Sequence, residues 1–184
     1  MAKKFIKELT LIRDDCAGCR RCGLGGKCGN VFSSMTPSDI FIIAQNPGAT
    51  EAIEGKPLVG ISGTILNSML ETVGLKRETF YLTNTVKCLT EANRSPNATE
   101  LSACRCWLDM EIGLLQPKLI VTLGNFALRQ ITGMVGISRY HGKLIKSLDG
   151  RDVFPLYHPS PLVTNTKEYR DYVLNDLKEL KKLI

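Results

Sequence analysis

The sequence predicts a three-layer α/β/α fold with a central, mostly parallel sheet of four to five strands. Three observations predict it. Short apolar runs alternate with amphipathic helical segments, turn residues follow each run, and no linker divides the 184-residue chain. Strands that alternate with helices are typical of a parallel sheet covered on both faces, whose ligands gather at the carboxyl ends of the strands. We therefore expect a single domain over residues 1–184.

The first half of the chain supplies two predicted strands with a helix between them. Residues 38–44 form an apolar run that leads into the turn Asn46-Pro-Gly48. A helix is predicted for residues 62–73, because its apolar side chains recur at helical spacing and Gly74 follows as a stop. Residues 80–86 are rich in aromatic and β-branched side chains, which predicts the second strand.

The second half continues the alternation. Thr99 is placed to cap a helix that ends near Leu115, and Pro117 introduces the next strand. The remaining predicted elements are strand 119–123, helix 125–131, strands 143–147 and 153–157, and a basic amphipathic helix over 168–183.

Composition restricts the partners and the compartment. The chain carries 24 Lys and Arg against 18 Asp and Glu, a net charge of +6. This excess favours a polyanionic partner, and charge that serves solubility alone is the alternative. The N-terminus lacks the apolar segment of a signal peptide, and no apolar run is long enough to span a membrane. We expect a cytoplasmic protein with no membrane contact.

Seven cysteines in such a protein indicate metal ligation rather than disulfides. Cys19 and Cys22 form a CxxC pair near the N-terminus, and Cys88 and Cys104 lie far downstream. Four thiolates from distant segments can hold zinc or a 4Fe-4S cluster. Either would tie the N-terminal segment to the rest of the fold.

Polar segments follow three of the predicted strands. They are Asn46-Pro-Gly48, Thr83-Asn84 and Tyr157-His-Pro-Ser160. Each one alone is compatible with an ordinary turn or loop. Because the carboxyl ends of parallel strands share one edge of the sheet, the three segments together predict a polar site at that edge.

Four short motifs carry a family resemblance. In chain order they are Ala44-Gln-Asn-Pro-Gly48 with Glu51, Gly55-Lys-Pro-Leu-Val-Gly60, Tyr81-Leu-Thr-Asn-Thr-Val-Lys-Cys88 and Tyr157-His-Pro-Ser160. They resemble the motifs of the uracil-DNA glycosylase superfamily, and within it family four, the bacterial and archaeal type that carries a 4Fe-4S cluster. The resemblance spans about Cys19 to Asp176.

The resemblance implies a monofunctional DNA glycosylase that flips uracil out of single- or double-stranded DNA and hydrolyses its N-glycosidic bond. Such a reaction initiates base excision repair, and we expect a monomer. The implied cluster ligands are Cys19, Cys22, Cys88 and Cys104, and Cys16 competes for a place in the first pair. Two further thiols, Cys28 and Cys106, are not expected to be ligands.

The resemblance also assigns substrate contacts. Asn84 matches the asparagine that reads uracil, since an amide offers a donor and an acceptor together. His158 matches the histidine that donates to uracil O2 as negative charge develops on the base. Leu162 matches an apolar wedge that enters the vacated base stack. The remaining implied substrate-binding residues are Ala44, Gly48, Leu58 and Ser160.

The first motif departs from family four. Gln45 stands where that family has a glutamate, and an amide cannot accept a proton as a carboxylate can. Asn46 is similar to the asparagine with which the mismatch-specific and single-strand-selective branches position the attacking water. Glu51 retains a downstream acidic position, and Ala52 replaces the aspartate that usually follows it. The expected catalytic set is therefore Gln45, Asn46, Glu51 and His158.

A second departure affects the substrate. Leu58 replaces a phenylalanine that stacks on uracil, and such stacking contributes about 1–3 kcal/mol. One alternative is therefore a superfamily member that binds uracil-containing or modified DNA without cleaving it, or that removes a different base. Another is a zinc-binding α/β protein with no role on DNA. Phosphate contacts are expected from Arg20, Arg21 and Lys27.

Overall fold

The computed structural model describes residues 2–25, 30–161 and 165–184. Within them, a five-stranded sheet has the strand order β2-β1-β3-β5-β4. The strands are β1 (Ile40–Ala44), β2 (Tyr81–Asn84), β3 (Leu119–Leu123), β4 (Ile145–Lys146) and β5 (Asp152–Leu156). All neighbours pair in parallel except β4, which pairs antiparallel with β5 at the edge. The predicted fold class is confirmed.

Helices cover both faces of this sheet. They are α1 (Ala2–Ala17), α2 (Ala49–Glu54), α3 (Ile61–Thr72), α4 (Ala98–Leu115), α5 (Gly124–Thr132), α6 (Ile137–Tyr140) and α7 (Lys167–Lys181). The helices predicted at α3, α4, α5 and α7 are confirmed, with ends that differ by a few residues. Sequence reasoning missed α1, although Phe5, Leu9, Ile12 and Cys16 recur at helical spacing and contact the core.

The apolar strands separate two layers of core, as alternation along β1 illustrates. Phe41 and Ile43 pack on one face with residues of α1, α4 and α5. Ile42 and Ala44 pack on the other face with residues of α3 and α7. Because successive side chains of a strand point to opposite faces, a strand buried on both sides is apolar throughout.

Several predicted element ends differ from the structure by one or two residues, and two of the differences have clear local reasons. The cap of α4 is Asn97 rather than Thr99, because Asn97 Oδ1 accepts from the Glu100 amide at 2.9 Å and Glu100 Oε2 accepts from the Asn97 amide at 2.9 Å. β2 ends at Asn84 rather than residue 86. There the chain turns across the end of β1, and the Thr85 amide donates to the Ala44 carbonyl at 2.9 Å.

A buried ion pair lies beneath β2. Lys87 Nζ and Glu111 Oε2 are 2.5 Å apart, and both side chains are fully buried. The Tyr81 hydroxyl donates to Glu111 Oε1 at 3.0 Å, and the Thr83 hydroxyl does so at 2.9 Å. Burial raises the pKa of Glu111, and the contact with Lys87 opposes that rise. This network ties α4 to the strand that ends at Asn84.

The described helices include none with the length and apolar character that crossing a membrane requires.

Candidate active site

A pocket of about 480 Å³ lies at the carboxyl ends of β1, β2 and β5. It brings together every predicted catalytic and substrate-binding residue that the structure describes; the wedge candidate Leu162 lies outside the described residues. Those in the pocket are Ala44, Gln45, Asn46, Gly48, Glu51, Leu58, Asn84, His158 and Ser160. The convergence expected from the strand-end motifs is confirmed.

A second cavity, of about 530 Å³, lies beside β2, next to the segment that hydrogen-bonds to the outer edge of this strand through Ser34 and Leu82. It is slightly larger, but its walls include none of the predicted site residues. Its polar groups belong to separate loops and to the end of α1. Because chemistry requires convergent polar groups rather than volume, we place the active site in the first pocket.

Asn84 is positioned by the sheet itself. It is the last residue of β2, in register with Ala44 of β1, and is 1% exposed. Its Nδ2 atom has no hydrogen-bond partner among the described residues. An unpaired buried amide donor costs about 1–3 kcal/mol, and because Asn84 lines the pocket, a bound ligand can supply the missing partner. This geometry suits a group that reads a bound base.

His158 follows β5 and faces the same pocket. Gly124 at the end of β3 has φ +79°, and an added Cβ there would lie 3.2 Å from the His158 Cβ. A side chain at position 124 would therefore crowd the histidine. Burial lowers the pKa of His158, and the nearby charge of Glu51 opposes this. The imidazole is consequently neutral at neutral pH, when one ring nitrogen donates and the other accepts.

Glu51 organises two loops of the pocket. Its Oε2 accepts from the Gly48 amide at 3.1 Å, and its Oε1 accepts from the amides of Val59 and Gly60 at 3.1 and 2.8 Å. The carboxylate thereby joins the turn after β1 to the loop before α3. Since backbone amides occupy both oxygens, the geometry favours a positioning role over the catalytic role expected from the sequence.

Leu58 lies in the pocket wall in a left-handed conformation, with φ +53°. Arg77 holds it there, donating to the Leu58 carbonyl at 2.7 Å and to the Pro57 carbonyl at 2.6 Å. Gly63 is required opposite, because an added Cβ would lie 1.8 Å from the Leu58 carbonyl oxygen. Sequence reasoning missed Arg77, since no local pattern links it to a loop so far upstream.

Asn46 approaches the pocket from the turn after β1. Its Nδ2 donates to the Pro47 carbonyl at 3.0 Å and to Thr90 Oγ1 at 3.4 Å. Sequence reasoning also missed the loop that contains Thr90, which contributes Asn93 and Ser95 to the pocket wall. The position of this loop directly after Cys88 is the sequence signal that could have placed it near the site. Gln45 lines the pocket too, and its carbonyl accepts from the Thr85 hydroxyl at 2.6 Å.

Cysteines from three segments line one small cavity, and one of them, Cys88, lies directly before this loop. They are Cys16, Cys19, Cys22, Cys88 and Cys104. Cys104 Sγ accepts from the Lys87 amide at 3.2 Å, and Asn30 Nδ2 lies 3.5 Å from Cys16 Sγ and 3.7 Å from Cys88 Sγ. Among the residues that the structure covers, no three or more His, Cys, Asp and Glu side chains form a ready-made metal site.

The chemistry of this cysteine cavity nevertheless suits a soft metal centre. Its candidate ligands are all sulfur, and Val86 and Trp107 supply apolar walls. Burial raises the pKa of Cys16 to about 12 and that of Cys104 to about 11. Such thiols stay protonated unless a metal displaces their protons. Cys106 lies outside the lining, and Cys28 is not among the described residues.

Comparison with known proteins agrees with the geometry. The model of the uracil DNA glycosylase superfamily matches residues 32–181. The Type-4 uracil-DNA glycosylase of Thermotoga maritima is 36% identical over 181 residues, which cover 96% of this chain and 94% of that protein. That of Sulfurisphaera tokodaii is 32% identical over 189 residues, with coverage of 97% and 86%. The Type-5 uracil-DNA glycosylase of Thermus thermophilus is 32% identical over 165 residues, with coverage of 78% and 75%. The chain belongs to the uracil DNA glycosylase superfamily.

Proposed function

We propose that the protein is a monofunctional uracil-DNA glycosylase that flips uracil out of DNA, hydrolyses its N-glycosidic bond and so initiates base excision repair. The observation that carries the proposal is the buried Nδ2 of Asn84, which has no partner among the described residues, in a pocket that also holds His158. Uracil presents an acceptor at O4 beside a donor at N3, which complements an amide. Cytosine presents the opposite pattern and is rejected.

His158 stabilises the departing base. As the bond between C1′ and N1 breaks, its electron pair moves to the uracil ring and negative charge collects on O2. A neutral imidazole that donates to O2 stabilises this charge without a proton transfer. The lowered pKa of His158 supports this role, because it keeps the ring in the neutral form.

Asn46 orients the attacking water. Its amide nitrogen is engaged with Pro47 and Thr90, so Oδ1 is the atom available to accept from water. The water oxygen bonds to C1′ of the sugar cation and releases a proton to solvent. An amide orients the water but does not take its proton, which suits a reaction in which the bond to the base breaks first.

Contacts with DNA outside the pocket are proposed on charge. Arg20 and Arg21 are the described candidates for phosphate binding, and the Arg21 guanidinium lies 6.0 Å from the Trp107 ring centroid beside the cysteine cavity. Lys27 and the wedge candidate Leu162 fall outside the described residues and stay predictions. The net charge of +6 predicts DNA affinity that falls steeply with salt.

We infer that Cys19, Cys22, Cys88 and Cys104 hold a 4Fe-4S cluster, supported by the single cavity that they share, whose candidate metal ligands are all cysteines. The cluster would serve as a covalent brace between the N-terminal segment and the loop after β2. Cys16 remains an alternative ligand. A cytoplasmic location, a monomeric state and a single domain over residues 1–184 also remain predictions.

Incubation with uracil-containing single-stranded and duplex oligonucleotides, followed by alkaline cleavage, tests the glycosylase directly. We expect strand breaks at uracil and none at cytosine. Binding of both substrates with no breaks at high enzyme concentration would contradict the proposal. Metal analysis of the purified protein tests the cluster: iron with sulfide is expected, and zinc alone would overturn it.

A second candidate function is supported by Leu58, which leaves the pocket without a stacking aromatic ring at that position. The protein would then remove a base other than uracil, or bind modified DNA without cleaving it. The same assay with hypoxanthine, xanthine and hydroxymethyluracil separates these outcomes. Cleavage at one of these bases in preference to uracil would favour the second candidate.

A further inference from the structure

The loop between the two downstream cysteines forms one wall of the active site. Residues 89–97 run from Cys88 to the N-terminus of α4, which carries Cys104. Asn93 and Ser95 of this loop line the pocket. Whatever fixes the loop therefore also fixes one side of the catalytic centre.

Thr90 is the point at which this loop contacts the proposed water-binding residue. Its side chain is 1% exposed. The Thr90 hydroxyl donates to the Arg94 carbonyl, and the Thr90 carbonyl accepts from the Asn93 amide at 3.0 Å. With its proton used on Arg94, the Thr90 oxygen is left as an acceptor, and Asn46 Nδ2 lies 3.4 Å from it.

These contacts determine which way the Asn46 amide faces. The Pro47 carbonyl, 3.0 Å away, can only accept, so the atom that faces it must be the amide nitrogen. Thr90 takes the second N–H of the same nitrogen. Both donors are thus committed to the protein, and Oδ1 is left for the pocket. The χ2 torsion of asparagine has a broad range of allowed values, so an Asn46 amide hydrogen-bonded to Pro47 alone would adopt several orientations.

The loop that presents Thr90 is itself anchored. Arg94 donates to both carboxylate oxygens of Glu100, at 2.9 and 2.6 Å. This pairing lowers the pKa of Glu100 and keeps it ionised. Glu100 also completes the cap of α4 with Asn97. Thr90 is therefore presented from a braced segment rather than from a free loop.

We propose that Thr90 is a positioning residue for hydrolysis, which holds the amide plane of Asn46 so that Oδ1 accepts from the attacking water. The proposal rests on the proposed glycosylase function and adds a residue to it. The competing role is purely structural: Thr90 closes its own loop through Arg94. The two roles differ in whether the effect of Thr90 depends on Asn46.

A double-mutant cycle separates them. Single-turnover rates of uracil release are compared for wild type, Thr90→Val, Asn46→Ala and the double variant, with DNA affinity measured in parallel. We expect Thr90→Val to slow release by about fivefold to tenfold, the effect of losing one orienting hydrogen bond, with unchanged affinity. In the Asn46→Ala background, the same change should have no further effect. Thr90→Ser, which keeps the hydroxyl, should restore the rate.

A matched control is available in the sheet. Thr122 is also buried, but its hydroxyl has no hydrogen-bond partner among the described residues. Thr122→Val makes the same chemical change and should leave the rate unaltered. Equal slowing by Thr90→Val with and without Asn46 would overturn the proposal, as would no slowing at all. Thr90→Ala replaces the valine variant if that one does not fold. Failure of wild type to release uracil would instead contradict the proposed function.

Discussion

The two sides of the active-site pocket use their polar atoms in opposite ways. On the base side, Asn84 ends the edge strand β2, and its buried amide donor has no partner among the described residues. On the water side, Asn46 engages both amide hydrogens, and Glu51 engages both carboxylate oxygens, with the protein. Free polar atoms on a rigid strand suit recognition of a ligand. Polar atoms on loops that are already hydrogen-bonded to the protein instead fix the positions of neighbouring loops and side chains.

This difference predicts that substitutions on the two sides of the pocket will have different effects on stability and catalysis. Changes on the base side should remove interactions with substrate while the fold stays stable. Changes on the water side should lower stability and catalysis together, because the same hydrogen bonds serve both. Four experiments test the contrast, and the largest effect is expected at His158.

Replacing His158 with alanine should reduce the single-turnover rate of uracil release by about 10²–10³-fold. That is the usual effect of removing a donor that stabilises developing negative charge. DNA affinity and melting temperature should change little, because the side chain faces the pocket. A loss of less than about tenfold in the rate would mean that His158 is not the main stabilising donor.

Replacing Asn84 with alanine should lower the rate by about 10–100-fold, since contacts that read a base contribute about 1–3 kcal/mol. The free energy of unfolding should fall only by the contribution of the lost packing contacts, because the Asn84 donor has no hydrogen-bond partner among the described residues. Thermal unfolding without DNA measures this. A marked drop in melting temperature would show that Asn84 supports the fold as well as the base.

Glu51→Gln tests the water side. The Glu51 carboxylate accepts hydrogen bonds from three backbone amides. A glutamine side chain has only one acceptor oxygen, and its NH₂ group would face a backbone N–H, which is also a donor. We expect a loss of about 1–3 kcal/mol in the free energy of unfolding, accompanied by slower release. Glu54→Gln, on the exposed side of the same helix, is the matched control. Slower release with unchanged stability would place Glu51 among the catalytic groups instead.

The smallest effect concerns pH. Burial lowers the pKa of His158, so the ring stays neutral as pH falls through the ordinary histidine range near about 6.5. The wild-type rate should therefore hold level through that range and change only at lower pH. The pH–rate profiles of wild type and His158→Gln should differ at acidic pH, in the limb where only wild type has a histidine at this position to protonate. A wild-type limb at or above the ordinary histidine value would contradict the lowered pKa.

Sequence reasoning reached the fold and the residues of the pocket, because both depend on local patterns. Apolar runs predicted the strands, and the polar segments after them, including Asn46, Asn84 and His158, had to meet at one edge. The partners of these residues were not predictable in this way. Thr90 and Arg77 reach the site through loops, and their contacts depend on backbone conformations that no sequence period encodes.

The buried pair of Lys87 and Glu111 also constrains how this chain can diverge. Replacing either residue alone leaves a charge in the core without its partner, at a cost of about 3–5 kcal/mol. That is a large share of the stability of an ordinary domain. A single substitution at either position would therefore destabilise the fold, so we expect the two residues to change together. Because Lys87 lies in the same motif as Asn84, the pair couples that motif to α4, and relatives of this chain should keep or lose the two residues as one unit.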